Sequence, residues 1–174
     1  MSWFEDIDIG GKRELGSHSF SAEEIKRFAN AWDPQPFHTD EEAAAKSHFG
    51  ALCASGWHTL AIMMRVMMHA RQRQLHPGGA GASGVNAAGG SVAGGMSGAR
   101  LGPSPGFDDL KWLKPVYAGD TIAFSTEIIE KRESRSRPGW GLIRFRNIGV
   151  NQDGAEVLTI VGAVYVEKRN AEAG

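Results

Sequence analysis

The sequence predicts an α+β fold in which one curved antiparallel sheet wraps a single long helix. Three observations carry this. Residues 56–75 are long enough for a helix, and its first three turns, Leu60 through Met68, are apolar almost all round, so something must enclose them. Beyond residue 106 the chain reads as strands as far as residue 167. The last of those strands is apolar on both faces, which places it inside a sheet.

Each element follows in order. Residues 7–20, punctuated by Gly10, Gly11 and Gly16, read as a lead-in and a first short strand. Ser21-Ala22-Glu23-Glu24 has the form of a capping box, with the Ser21 hydroxyl bonding the Glu24 amide and Glu24 reaching back. The helix it opens puts Ile25, Phe28, Ala29 and Trp32 on one face. It ends near Trp32, because Pro34 disfavours a helical Asp33. Residues 33–38 are then an extended link stiffened by Pro34 and Pro36. Thr39-Asp40-Glu41-Glu42 reads as a second capping box for a short helix through Lys46, and Gly50 ends the unit.

Residues 77–106 hold nearly half of the chain's 23 glycines and read as a flexible insertion. Neither a GxGxxG nor a Walker phosphate loop stands there, since no strand leads in and no helix leads out. Strands follow at 107–113, 121–131, 140–150 and 156–167, in antiparallel succession. Ile122, Phe124 and Ile128 share a face. Ile143 and Phe145 are out of phase with Ile148 and Val150, which predicts a bulge near Asn147. Gly119-Asp120 and Asp153-Gly154 are turns.

The bulk numbers narrow the function. With 174 residues, the chain reads as a single domain over 1–174 with a core of its own. A net charge of −1 favours neither nucleic acid nor an anionic membrane as a partner. The lone Cys53 excludes an internal disulfide and fits a reducing cytoplasm. The acidic N-terminus lacks the apolar run of a signal peptide. His58, Arg65 and His69 argue against a membrane span in the most apolar window. His48, His58, His69 and His76 lack metal-ligand spacing, so no metal is expected. One curved sheet leaves an edge strand bare, which predicts self-association, most simply as a two-fold dimer.

Asp33 and His38 are the residues that point to chemistry. A carboxylate and an imidazole on one short, stiff link can hold a single water between them, and each can accept or donate a proton. About eighteen residues on, Ser55-Gly56-Trp57 opens the long helix. Unpaired amides at a helix start, here with a glycine that admits close approach, suit an oxygen that gains negative charge.

These residues resemble a known family. Asp33-Pro34-Gln35-Pro36-Phe37-His38, the small run Ala43-Ala44-Ala45, the helix start at Gly56 and the segment Leu113-Lys114-Pro115-Val116-Tyr117-Ala118-Gly119-Asp120 are similar to the MaoC-like dehydratases, which include the (R)-specific enoyl-CoA hydratases. The family motif runs Asp-x-Asn-Pro-x-His, so Gln35 stands where the family has Asn. The resemblance implies a hotdog fold and reversible syn hydration of a trans-2-enoyl-CoA to an (R)-3-hydroxyacyl-CoA. It implies Asp33 and His38 as the catalytic pair, with Gly56 as oxyanion donor beside Ser55, Trp57, Phe37 and Gln35. No separate cofactor is implied, since coenzyme A is part of the substrate. A homodimer is the implied minimum, with a dimer of dimers open. Family hydratases often carry a serine one turn into the central helix. Here that region is Ile62-Met63-Met64, leaving Thr59 or His58 as possible substitutes. The acyl tail is expected along Phe37, Trp57 and Met63, and the coenzyme A phosphates near Lys111, Lys114 and Arg144. A hotdog thioesterase and a non-catalytic acyl-binding or assembly subunit stay open as alternatives. The absence of Asp or Glu from residues 56–75 weighs against the thioesterase.

Overall fold

A computed structural model describes residues 3–75 and 100–169, with the side chains of residues 74 and 75 excepted. Most of the glycine-rich insertion, at 76–99, and the polar tail beyond residue 169 therefore lie outside the described residues. After a 3₁₀ turn at Phe4–Asp6 come β1 (Lys12–Ser19), α1 (Ala22–Trp32), α2 (Pro36–Thr39), α3 (Glu41–Ala45) and α4 (Gly56–Leu75). Strands β2 (Gly106–Trp112), β3 (Thr121–Glu133), β4 (Trp140–Val150) and β5 (Glu156–Glu167) complete the fold.

The strands form one antiparallel sheet in the order β1-β3-β4-β5-β2. β3, β4 and β5 are successive hairpins, and β5 is interior, as its two apolar faces require. The expected unbroken succession of four strands is corrected at β2. That strand follows α4 in the chain but pairs with β5 at the far edge of the sheet, not with β3. The expected bulge at Asn147 is also absent. Asn147 is fully buried and pairs in register with Thr126 and Ile160, its amide donating to Met67 Sδ on α4 at 3.8 Å. The apparent phase change arises because a polar residue fills a core position. The register shifts of β4's ladders lie instead between Ile128 and Glu130 and between Gly149 and Val150.

Met63 and Ile62 of α4 pack against Ile122 and Phe124 of β3, Leu158 and Ile160 of β5, and Ile25 of α1 in one core. Among the described residues the helix is not enclosed all round: Trp57, Ala61 and Met64 are exposed along one side of it. The last residues of the expected insertion are described, and they pack on the sheet. Residues 100–105 run on from the edge strand, with Leu101 bridging Val166, Gly102 N–H bonding Tyr165 O at 2.8 Å and Arg100 paired with Glu167 at 2.6 Å. Among the described residues, no helix is long and apolar enough to cross a membrane.

Candidate active site

The site begins where α1 stops. Ser21 caps α1 as expected, accepting from the Glu24 amide at 3.2 Å. Glu24 does not reach back, because its carboxylate is 2.7 Å from His18. Trp32, the last residue of the helix, is 78% exposed, so the apolar stripe closes at Ala29 and does not extend to it. Asp33 leaves the helix at φ −152°, ψ 68°, as the proline after it dictates. From there the expected extended link is corrected. Pro36 starts a helical turn, its fixed φ suiting the first helical position, and His38 lies within that turn. Thr39 closes the turn by donating its hydroxyl to Gln35 O at 3.2 Å, so Asp40 and not Thr39 caps α3.

This turn buries His38 and brings it back to Asp33. The imidazole Nδ1 is 2.7 Å from the Cys53 carbonyl, which can only accept, so Nδ1 carries the proton and Nε2 presents a lone pair. Nε2 stands 3.6 Å from Asp33 Oδ2, too far for a direct hydrogen bond. The carboxylate is otherwise engaged. Gln35 Nε2 donates to Oδ1 at 2.8 Å, so the amide that replaces the motif's Asn still bonds the acid. The Ser55 hydroxyl is near enough to favour its charged form as well. Burial works against the charged form of Asp33, but the Ser55 hydroxyl and the Gln35 amide outweigh it, and its pKa lies below the ordinary carboxylate value.

Ser55 is a hydroxyl close to the acid that stands just outside the helix. It is fully buried immediately before α4, where it also accepts from the Trp57 amide at 3.2 Å in the manner of an N-cap. Thr59 also lines the cavity and donates its hydroxyl to Ser55 O at 3.3 Å. His58 is turned away toward α1, stacked on Phe28 at 4.5 Å and 3.6 Å from Glu24. Burial is the largest influence on His58 and carries its pKa down to about 4, against an opposing pull from Glu24.

Gly56 has a neighbour that needs the bare backbone. A Cβ there would stand 2.5 Å from Trp112 Cε2, so the β2 indole lies directly on the start of α4. Trp112 in turn meets Trp57 edge to face at 5.3 Å. No hydrogen bond among the described residues occupies the Gly56 N–H.

A cavity of about 420 Å³ joins these groups. All seven expected site residues line it: Asp33, Gln35, Phe37, His38, Ser55, Gly56 and Trp57. Met63 does not, because it is fully buried in the core. Of the expected phosphate partners only Lys114 lines the cavity. Lys111 is paired with Asp109 at 2.8 Å, and Arg144 with Asp108 and Glu130 at 3.0 and 3.2 Å. Trp112, Phe49 and Cys53 are lining residues that the sequence did not mark. Cys53 is a buried wall and no nucleophile, its thiol pushed up to about 11 by burial.

The family model described as "MaoC like domain" matches residues 8–85. The crystal structure of the MaoC-like dehydratase from Rhodospirillum rubrum is 32% identical, covering 97% of this chain and 99% of that one, with a TM-score of 0.73. The uncharacterised protein YdeM of Bacillus subtilis is 28% identical over 135 residues, 78% of this chain and 79% of YdeM. Mesaconyl-CoA hydratase of Cereibacter sphaeroides is 38% identical over 68 residues, 39% of this chain but only 20% of that protein. With the helix-on-sheet architecture and a full-length likeness above the range where only fold is shared, the chain belongs to the MaoC-like dehydratase family and has its hotdog fold.

Proposed function

We propose that this chain is a hydro-lyase that adds water reversibly across C2 and C3 of a trans-2-enoyl-CoA, in the syn sense, giving an (R)-3-hydroxyacyl-CoA. One observation carries the reading: the 3.6 Å gap between Asp33 Oδ2 and His38 Nε2, two acceptors facing each other in one cavity. A water there donates one O–H to each and turns its oxygen lone pair outward, toward C3. As the C–O bond forms, the pair takes one proton and returns one to C2 on the same face. The thioester oxygen gains negative charge as an enolate and is met by the Gly56 N–H at the positive end of α4. The acyl chain lies against Phe37 and Trp57. The likeness to a mesaconyl-CoA hydratase, a coenzyme A thioester hydratase by name, supports the reaction class.

The active form in this reading is a homodimer. Support comes from β2, an edge strand that exposes Phe107 and Trp112, followed by the exposed Leu113, and from the bare side of α4 at Trp57 and Met64.

A panel of trans-2-enoyl-CoAs of increasing chain length, followed by loss of the conjugated absorbance, tests the chemistry. Asp33→Asn and His38→Ala are each expected to lower kcat by roughly 10²- to 10⁴-fold. Turnover that survives both substitutions would overturn the assignment. Release of free thiol in place of loss of conjugation would make the protein a thioesterase.

A further inference from the structure

We propose that Trp112 contacts the substrate, its indole N–H joining the Gly56 N–H in binding the thioester oxygen. This rests on the hydration reading above and adds a second donor to the same site. The argument starts from an irregularity in β2. Phe107 stands opposite Gly162 and Trp112 opposite Leu158, so both face the side of the sheet on which Leu158 packs with α4. Five positions apart, they would face opposite sides of a regular strand. One extra residue between Asp108 and Lys111 restores the phase. Asp109 takes up the distortion at φ 53°, and among the described residues it is the one non-glycine residue at positive φ. Without that bulge Lys111 would stand opposite Leu158, and Trp112 would turn away from α4. The backbone is thus irregular at the place that decides which side chain meets Gly56.

From the point where a Cβ on Gly56 would stand, Trp112 Cε2, Nε1 and Cδ2 lie at 2.5, 2.6 and 2.9 Å. Near-equal distances to three joined ring atoms put that point over the face of the ring, so the in-plane N–H is directed past the glycine and not into it. A Cβ is about 2.5 Å from the nitrogen of its own residue, so the two nitrogens are at most about 5 Å apart. One oxygen can therefore lie about 2.9 Å from both. Neither N–H has an acceptor among the described residues. Gly56 and Trp112 line the cavity that Asp33 and His38 also line, and Trp57 meets the indole edge to face and sets its tilt. During hydration the thioester oxygen gains charge as water attacks C3 and gives it up as C2 is protonated. The indole donates throughout and keeps its proton, so proton transfer stays with Asp33 and His38. Donors fixed in place beforehand stabilise that charge without reorganising.

The test uses Trp112→Phe, which keeps an apolar ring on Gly56 and beside Trp57 and removes the N–H. On the enoyl-CoA that the wild-type protein turns over best, kcat is expected to fall roughly 10²-fold, with KM changed by less than about threefold. Tm and molecular mass are expected to stay as they are. The second readout is the infrared C=O stretch of a saturated acyl-CoA labelled with carbon-13 at the thioester carbonyl. Bound to the wild-type protein it is expected at lower frequency than in water, and Trp112→Phe is expected to give back part of that shift. A kcat within about threefold of wild type, or a carbonyl stretch identical in the two proteins, overturns the proposal. So does a fall in activity that comes with a lower Tm or mass and an unmoved stretch, which would assign Trp112 to packing. If Trp112→Phe does not fold, the wild-type stretch decides, and one no lower than in water overturns the proposal. A wild-type protein that shifts the carbonyl but hydrates no enoyl-CoA overturns the hydration reading and leaves the second donor standing.

Discussion

Ser55 uses one hydroxyl twice, favouring the charged form of Asp33 and accepting from the Trp57 amide. Ser55→Ala therefore removes a helix cap, at a cost of about 1 kcal/mol, and a donor that keeps Asp33 ionised. Asp33 has a lowered pKa in the folded protein, so the stability its partners contribute is present above the unfolded value and lost as pH falls through the folded one. Without Ser55 the folded value rises. The acidic limb of kcat/KM against pH is expected to move to higher pH, with activity near neutrality reduced roughly 10-fold. An acidic limb that stays in place would show that Ser55 does not act through Asp33. Gly56 is constrained by its neighbour in a different way. A methyl group there meets the Trp112 indole at 2.5 Å, so Gly56→Ala is expected to lower stability by about 1–3 kcal/mol. Adding Trp112→Ala should recover part of that loss in thermal unfolding. Strict additivity of the two substitutions would contradict the contact.

At the scale of elements, His58 joins three of them. It stacks on Phe28 of α1 and meets Phe20, the residue after β1, edge to face at 5.3 Å. Its Nε2 is 3.6 Å from the Glu24 carboxylate, which also pairs with His18 of β1. Because α1 ends at Asp33 and α4 begins just after Ser55, this cluster sets the spacing of the helices that carry the site. His58 is buried and neutral, with a pKa of about 4 against an ordinary 6.5. Between those values the unfolded chain binds the proton that the folded chain refuses. Its contribution is therefore complete above pH 6.5 and lost as pH falls toward 4, in all about 3 kcal/mol. His58→Phe keeps an aromatic ring against Phe28 and removes the titration. The fall in Tm between pH 6.5 and 4 is expected to flatten in that variant. A slope identical to the parent's would mean that other groups drive the acid response.

For the whole molecule, the unpaired edge at β2 and the bare side of α4 meet at the contact between Trp112 and Trp57. A single chain exposing Phe107, Trp112, Leu113, Trp57 and Met64 together leaves an apolar surface for a second copy to cover. Light scattering is expected to give twice the chain mass of 18.7 kDa. Phe107→Lys, which places a charge on the edge strand, should shift that mass toward one chain while far-ultraviolet circular dichroism is retained. A wild-type protein that runs as one chain at micromolar concentration would refute the dimer.

Local rules in the sequence determined a good deal. Proline at residue 34 stopped α1 at Asp33, alternation marked β3, a strand apolar on both faces marked β5, and an apolar run marked α4, because each is governed by sterics or burial within a few residues. The spacing of Asp33, His38 and Gly56 was likewise legible, and all of them line one cavity. What the tertiary structure alone decided depends on residues distant in the chain. β2 crosses to pair with β5, and only that crossing lays Trp112 on Gly56 and puts Lys114 at the cavity wall. The Cys53 carbonyl fixes the His38 tautomer across fifteen residues. Ser55 was expected beside Gly56, but its influence on Asp33 was not legible, because a residue just before a helix meets a carboxylate on another element through packing and not through helical period. Pairing across the sheet is an energy of the assembled chain, so no window of sequence contains it.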